Sequence, residues 1–124
     1  MSINIVQDLE NYQSSINSKL INYSNRVAKM QKKLDIKFNR NLNNINAIFE
    51  DDKLSSNEMQ GLIVNIHQYI KDIKRILLSI EEIKDVLKSS TSISNHLNDI
   101  ALYKYDISEY IEKINNYLSK IESN

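Results

Sequence analysis

The chain has 124 residues, 41% of them hydrophobic and 26% charged, with 16 basic and 16 acidic side chains and no formal net charge. That is the size of one ordinary domain, and too apolar for a chain that stays disordered, so a single folded unit over 1–124 is expected. Balanced charge removes a global electrostatic pull towards nucleic acid or membrane, and the lack of cysteine removes disulfides, thiolate nucleophiles and cysteine metal sites.

The first residues, MSINIVQDLE, have neither the basic start nor the continuous apolar stretch of a signal peptide. No run approaches the ~18 apolar residues of a membrane span. The sequence therefore predicts a cytoplasmic protein without a membrane span, a reading that leaves room for signal-less export or delivery into a host cell.

No proline and a single glycine leave few sharp turns, which disfavours hairpin-rich β structure and points to helices. Ile5, Leu9, Tyr12, Ile16, Leu20, Tyr23, Val27, Met30, Leu34, Phe38, Leu42, Ile45 and Phe49 recur at steps of three or four, which predicts a first helix over 3–50. Their mean spacing of about 3.7 residues lies nearer the 11-residue repeat than the heptad, so this helix should be almost straight. Its weak point is the stretch from Asn39 to Asn46, because asparagine competes for its own backbone.

The segment KLSSNEMQGLI, residues 53–63, resembles the exit half of a calcium-binding loop. Counted back from Glu58 as the closing ligand, that loop would need oxygen ligands at Ala47 and Phe49 and its glycine at Asp52, and all three residues are wrong for it. A helix start needs a capping hydroxyl, a Glu three residues on and an apolar pair around them. Ser55, Glu58, Leu54 and Met59 supply these, so a cap is predicted and calcium is not.

A second helix follows over 56–88. Leu62, Ile66, Tyr69, Ile73, Ile76, Ile80, Ile83 and Leu87 form one stripe, and Ile63, Ile70 and Leu77 widen it, so this helix should pack against two neighbours and sit centrally. Gly61 within it is disfavoured by ~1 kcal/mol relative to alanine, and close packing against the end of helix 1 would account for its presence. Ser89 to Ser92, SSTS, is the expected second turn. Helix 3 is placed over 93–122 through Leu97, Ile100, Ile107, Ile111, Ile114 and Leu118, with Lys104 the one polar member of a 3.5-residue period, and Tyr103, Tyr110 and Tyr117 lie one heptad apart beside that seam. The fold class is thus all-α: an antiparallel three-helix bundle with a long first helix and coiled-coil-like packing.

Little in the chain suggests catalysis. There is no glycine-rich phosphate loop and no known catalytic signature, and helices leave few loops on which to assemble a site. His67 stands near Lys71 and Lys74, a cationic setting unsuited to a divalent metal, while His96 and Asp99 share a helix face without a further partner. Neither enzyme activity, a cofactor nor a metal is expected.

One concentrated basic stretch, Arg26, Lys29, Lys32, Lys33, Lys37 and Arg40, could neutralise nucleic-acid phosphates. It lacks the interleaved aromatics of single-strand binders, and a solvated face compensated by Asp106, Glu109 and Glu112 of helix 3 is the preferred reading.

Length arithmetic gives a partner surface. At about 1.5 Å per residue, helix 1 would be about 72 Å long against about 50 Å and 45 Å for its neighbours. With the turn fixed near Asp52, the excess would fall at the N-terminus and leave Ile3, Ile5, Val6, Leu9, Tyr12 and Ile16 without intrachain cover. Residues 3–16, and secondarily the Tyr103, Tyr110, Tyr117 side of helix 3, are the expected contacts with another protein or with a second copy. The functional expectation is a non-enzymatic protein–protein interaction module, such as a chaperone, adaptor or assembly subunit, and a homo-oligomer. The alternative is a nucleic-acid-binding regulator using residues 26–40.

Overall fold

The computed structural model of the protein describes residues 2–43, 54–89 and 93–123, and within the first helix the side chains of residues 4–37. It contains three helices, α1 (Ser2–Asn43), α2 (Ser56–Ser89) and α3 (Ser94–Glu122), with no strand among the described residues. Of the Asn-rich stretch, 39–43 continue α1 as helix. The expected helical course through Phe49 to Glu50, the turn at Asp52 and the turn residues 90–92 lie outside the described residues.

Cross-helix contacts give the topology. Gln31 reaches Gln60 at 3.1 Å and Gln13 reaches Glu81 at 3.0 Å, so α1 and α2 are antiparallel. Lys104 lies over Tyr12, and Arg26 meets Glu122, so α3 runs parallel to α1 and antiparallel to α2. This is the antiparallel three-helix bundle that the periodicity predicts.

α2 is the central element. Its buried apolar residues, Met59, Ile63, Ile66, Ile70, Ile73, Leu77, Ile80, Ile83 and Leu87, span both predicted stripes, whereas Leu62, Tyr69 and Ile76 are half-buried at the edge of the core. Packing is extensive on both of its sides, and α1 and α3 touch each other much less. α1 contributes Leu9, Ile16, Leu20, Tyr23, Val27, Met30 and Leu34, and α3 contributes Ile100, Ile107, Ile114, Leu118 and Ile121. Each fully buried aliphatic side chain stabilises the fold by roughly 1.5–3 kcal/mol relative to exposure.

Among the described side chains the expected shortage of cover at the N-terminus does not occur, and that of Ile3 lies outside them. Leu9 is 1% exposed and Ile16 4%, and Ile5, Val6 and Tyr12 are partly buried against the same core. The register explains the difference. Leu34 stands beside Ser56, Asn57 and Gln60 in one small cleft, so α1 is already level with the start of α2 there. Its surplus turns, from Asp35 to Asn43, run past α2 at the opposite end from the one predicted.

The start of α2 is built as its sequence requires. The Glu58 amide donates to Ser55 Oγ at 3.1 Å, while Met59 is buried and Leu54 packs against the core from the other side of the cap. Gly61, by contrast, has no close neighbour: a Cβ added there meets nothing within 4 Å. Close packing of α1 does not explain this glycine, and no other contact does.

Two outcomes follow for chemical denaturation. Ser55→Ala should lower stability by ~0.5–2 kcal/mol through loss of the cap; an unchanged midpoint would show that the bond contributes nothing. Gly61→Ala should raise stability by ~0.4–1 kcal/mol, because the helical position is open and the unfolded chain loses freedom. A fall in the midpoint would reveal an obstruction that the packing does not contain.

Candidate functional site

The outer surfaces of a closed bundle are its candidate sites, and three arise from the sequence reading. The first, Ile5, Val6, Leu9, Tyr12 and Ile16, is drawn into or against the core. Ile5, Val6 and Tyr12 stay partly accessible, and the Lys104 ammonium lies 4.9 Å above the centroid of the Tyr12 ring. Burial pushes the Tyr12 phenol above its ordinary pKa.

The second is an aromatic ridge along α2 and α3. Tyr103, Tyr110 and Tyr117 are half-buried against the core, as one-heptad spacing beside a seam dictates. Tyr69 of α2 completes the ridge, its ring centroid 5.7 Å from those of Tyr110 and Tyr117. The Tyr69 and Tyr117 hydroxyls stand 3.5 Å apart, and this contact, then burial, raises the Tyr69 pKa. Lys113 lies over Tyr69 and Tyr110, and Lys120 over Tyr117, at 5.6 to 5.9 Å. Such contacts contribute ~0.5–1 kcal/mol when exposed. They hold two cations along the ridge.

The third is the basic stretch of α1. Arg26, Lys29, Lys33 and Lys37 recur at steps of three and four and so share one flank of the helix. Arg26 Nε donates to Glu122 at 2.9 Å, and its Nη2 contacts the other carboxylate oxygen. This two-pronged bond, with Lys29 and Lys33 adding longer-range attraction, holds the Glu122 carboxyl below its ordinary value, and the same bond raises Arg26. The acid that meets the basic stretch is therefore Glu122, and not Asp106, Glu109 or Glu112. With α1 and α3 parallel and Arg26 level with Glu122, those three carboxylates lie several turns nearer the N-terminal end of α1. Lys29, Lys32 and Lys33 are exposed and Lys37 is half-buried; the Arg40 side chain lies outside the described residues.

A fourth feature has no counterpart in the sequence reading. Lys84 is 7% exposed, a buried charge in the α1–α2 interface. Its ammonium lies 2.7 Å from Glu81, 3.8 Å from Glu10 and 3.0 Å from the Gln13 amide oxygen. Gln13 Nε2 in turn donates to Glu81 at 3.0 Å and to the Leu77 carbonyl at 3.4 Å. The signal was present, because Ile63, Ile70 and Leu77 repeat by heptads and Lys84 is the next member. Lys84 first, and Gln13 second, lower the Glu81 pKa. Beside this network a shallow groove of about 430 Å³ is lined by Gln13, Asn17, Lys74, Leu77, Leu78 and Glu81.

Among the described residues no group of three or more His, Cys, Asp or Glu is arranged to hold a metal ion, and no helix is long and apolar enough to cross a membrane. His67 is exposed and His96 half-buried. Compared with protein-family models, curated proteins and solved structures, the chain matches none.

The two carboxylates give a pH dependence with a definite sign. Glu81 and Glu122 are both held below their ordinary value of 4.5, so their contribution is complete above that value. It is lost as pH falls, because the unfolded chain takes up protons first. Both carboxylates are a third or more exposed, so solvent screening keeps the effect small. Thermal melts should hold steady from about pH 7 to about pH 5 and decline below about 4.5, and E81Q/E122Q should flatten that decline. An equally steep decline in the double variant would assign acid sensitivity to other groups.

Proposed function

We propose that the protein is a non-enzymatic protein–protein interaction module, a chaperone, adaptor or assembly subunit working through the outer faces of its long helices. One observation carries this reading: large apolar side chains remain exposed outside a core that is already complete. Ile21, Val64, Leu78, Leu97, Leu102 and Tyr105 are each 49% to 66% exposed, and they lie on all three helices. Single exposed aliphatics are ordinary. Leu78, however, borders the α1–α2 groove, and Leu102 and Tyr105 are neighbours one turn apart on α3. Tyrosine is enriched at protein interfaces, and the Tyr69–Tyr110–Tyr117 ridge adds a rigid aromatic surface to the same bundle.

A second reading, a nucleic-acid-binding regulator, draws on the exposure of Lys29, Lys32 and Lys33. The capture of Arg26 by Glu122 weakens it, since one of the cations is already neutralised.

Affinity purification with the wild type and with an I21S/L78S variant tests the first reading. These exposed changes should shift stability by no more than about 0.5 kcal/mol, while a protein recovered with the wild type should be lost from the variant. Equal recovery would remove these outer faces from the binding surface. A mobility shift of DNA or RNA by the wild type at about 0.15 M salt, abolished in K29E/K33E/K37E, would put the nucleic-acid reading in its place.

A further inference from the structure

The α3 surface beside the tyrosine ridge has a charge order of its own. Asp99, Asp106, Lys113 and Lys120 are spaced by heptads and are all exposed, so they form one line along the helix, acidic in its first half and basic in its second. Successive members are about 10 Å apart along the axis, too far to neutralise one another within the helix. Leu102, 60% exposed, lies beside the line in its acidic half, and Tyr117 flanks it in the basic half.

We propose that this face docks on the same face of a second copy, α3 against α3 in antiparallel orientation about a two-fold axis passing between Glu109 and Tyr110. This names the partner for the interaction reading above and rests on it. In this register Asp99 faces Lys120 of the second copy and Asp106 faces its Lys113. Symmetry doubles every contact. A slip of one heptad either way sets Asp106 against its own copy or Lys113 against its own copy, and a parallel pairing sets every charge against its like, so one register satisfies all four charges. The Lys113 and Lys120 ammonium groups are already held over the ridge by Tyr69, Tyr110 and Tyr117.

α2 fits the same axis. Tyr69 packs against both Tyr110 and Tyr117, which puts the middle of α3 level with the turn of α2 that holds Asp72 and Arg75. These two already pair at 3.2 Å within one chain, and an antiparallel second copy would present the opposite member of the pair to each.

Analytical ultracentrifugation tests the proposal on the intact chain, with circular dichroism to confirm that each variant is helical. The wild type should be dimeric at about 0.1 mM and should dissociate as salt rises, because exposed ion pairs are screened. K113E/K120E and D99K/D106K should each associate at least about 10-fold more weakly, while an equimolar mixture of the two should form a heterodimer. The quadruple exchange D99K/D106K/K113E/K120E restores opposite charges only in antiparallel pairing, and should recover self-association. A monomeric wild type, a dimer indifferent to both double reversals, or a folded quadruple variant that stays monomeric would each overturn the proposal. None of these outcomes bears on capture of other proteins through Ile21 and Leu78, so the broader reading stands or falls separately.

Discussion

The fold depends on the two-sided burial of α2. A single amphipathic helix buries a stripe on one side, and two such helices make only a marginal pair in water. α2 instead carries two overlapping apolar stripes, and Ile66, Ile73 and Ile80 on it have no measurable exposure. α1 covers one flank and α3 the other, and α1 and α3 touch each other much less. Each outer helix is therefore held chiefly through α2. The β-branched isoleucines that dominate this helix are modest helix formers on their own, which places the stability of α2 in its packing and not in its local propensity.

Apolar stripes alone leave the register loose, since sliding by a heptad keeps isoleucine against leucine. Polar contacts at the seams remove that freedom. Lys84 is the strongest of them, because a buried ammonium without its partners would carry a large desolvation penalty. Glu81 of the same helix pairs with it in any alignment, but Glu10 and Gln13 of α1 reach it only in the observed one. Replacing such a group with a hydrophobe is often neutral or stabilising, so the gain from Lys84 lies in excluding other alignments. The Arg26–Glu122 fork plays the corresponding part between α1 and α3, in a more exposed and therefore weaker setting.

Helix number, type and most of the core were readable from residue order, since a 3.6-residue period over this length has no competing interpretation. The Ser55 cap was readable for a similar reason: its hydroxyl, acid and staple residues sit at fixed offsets. Relative alignment was not. The lengths of two helices do not say where one stops facing the other, and anchoring α1 at Asp52 displaced its surplus to the wrong end, exposing Leu9 and Ile16 on paper when both are buried. Ion pairing failed for the same reason, because Glu122 becomes the neighbour of Arg26 only once the parallel register is known. Lys84 continues the heptad of Ile63, Ile70 and Leu77, but lysine is rarely buried unless paired, and its partners on α1 become neighbours only once the register is known.

The helix macrodipole accounts for part of the charge order on α3. Acids near a helix N-terminus and bases near its C-terminus are favoured by the macrodipole, whichever face they occupy. Lys120, in the last turn, is covered by that account. The dipole's influence fades within the first and last turns, however, and Asp106 and Lys113 lie in the middle of a 29-residue helix. Nor does the dipole select a face, yet Asp106 and Lys113 stand on the same line as the terminal pair. Intrachain pairing does not supply the reason either, because no ion pair joins α2 to any of these four residues among the described contacts; the lysines rest on tyrosine rings. The proposed dimer would account for the whole line, because an antiparallel copy of α3 meets each of the four charges with its opposite.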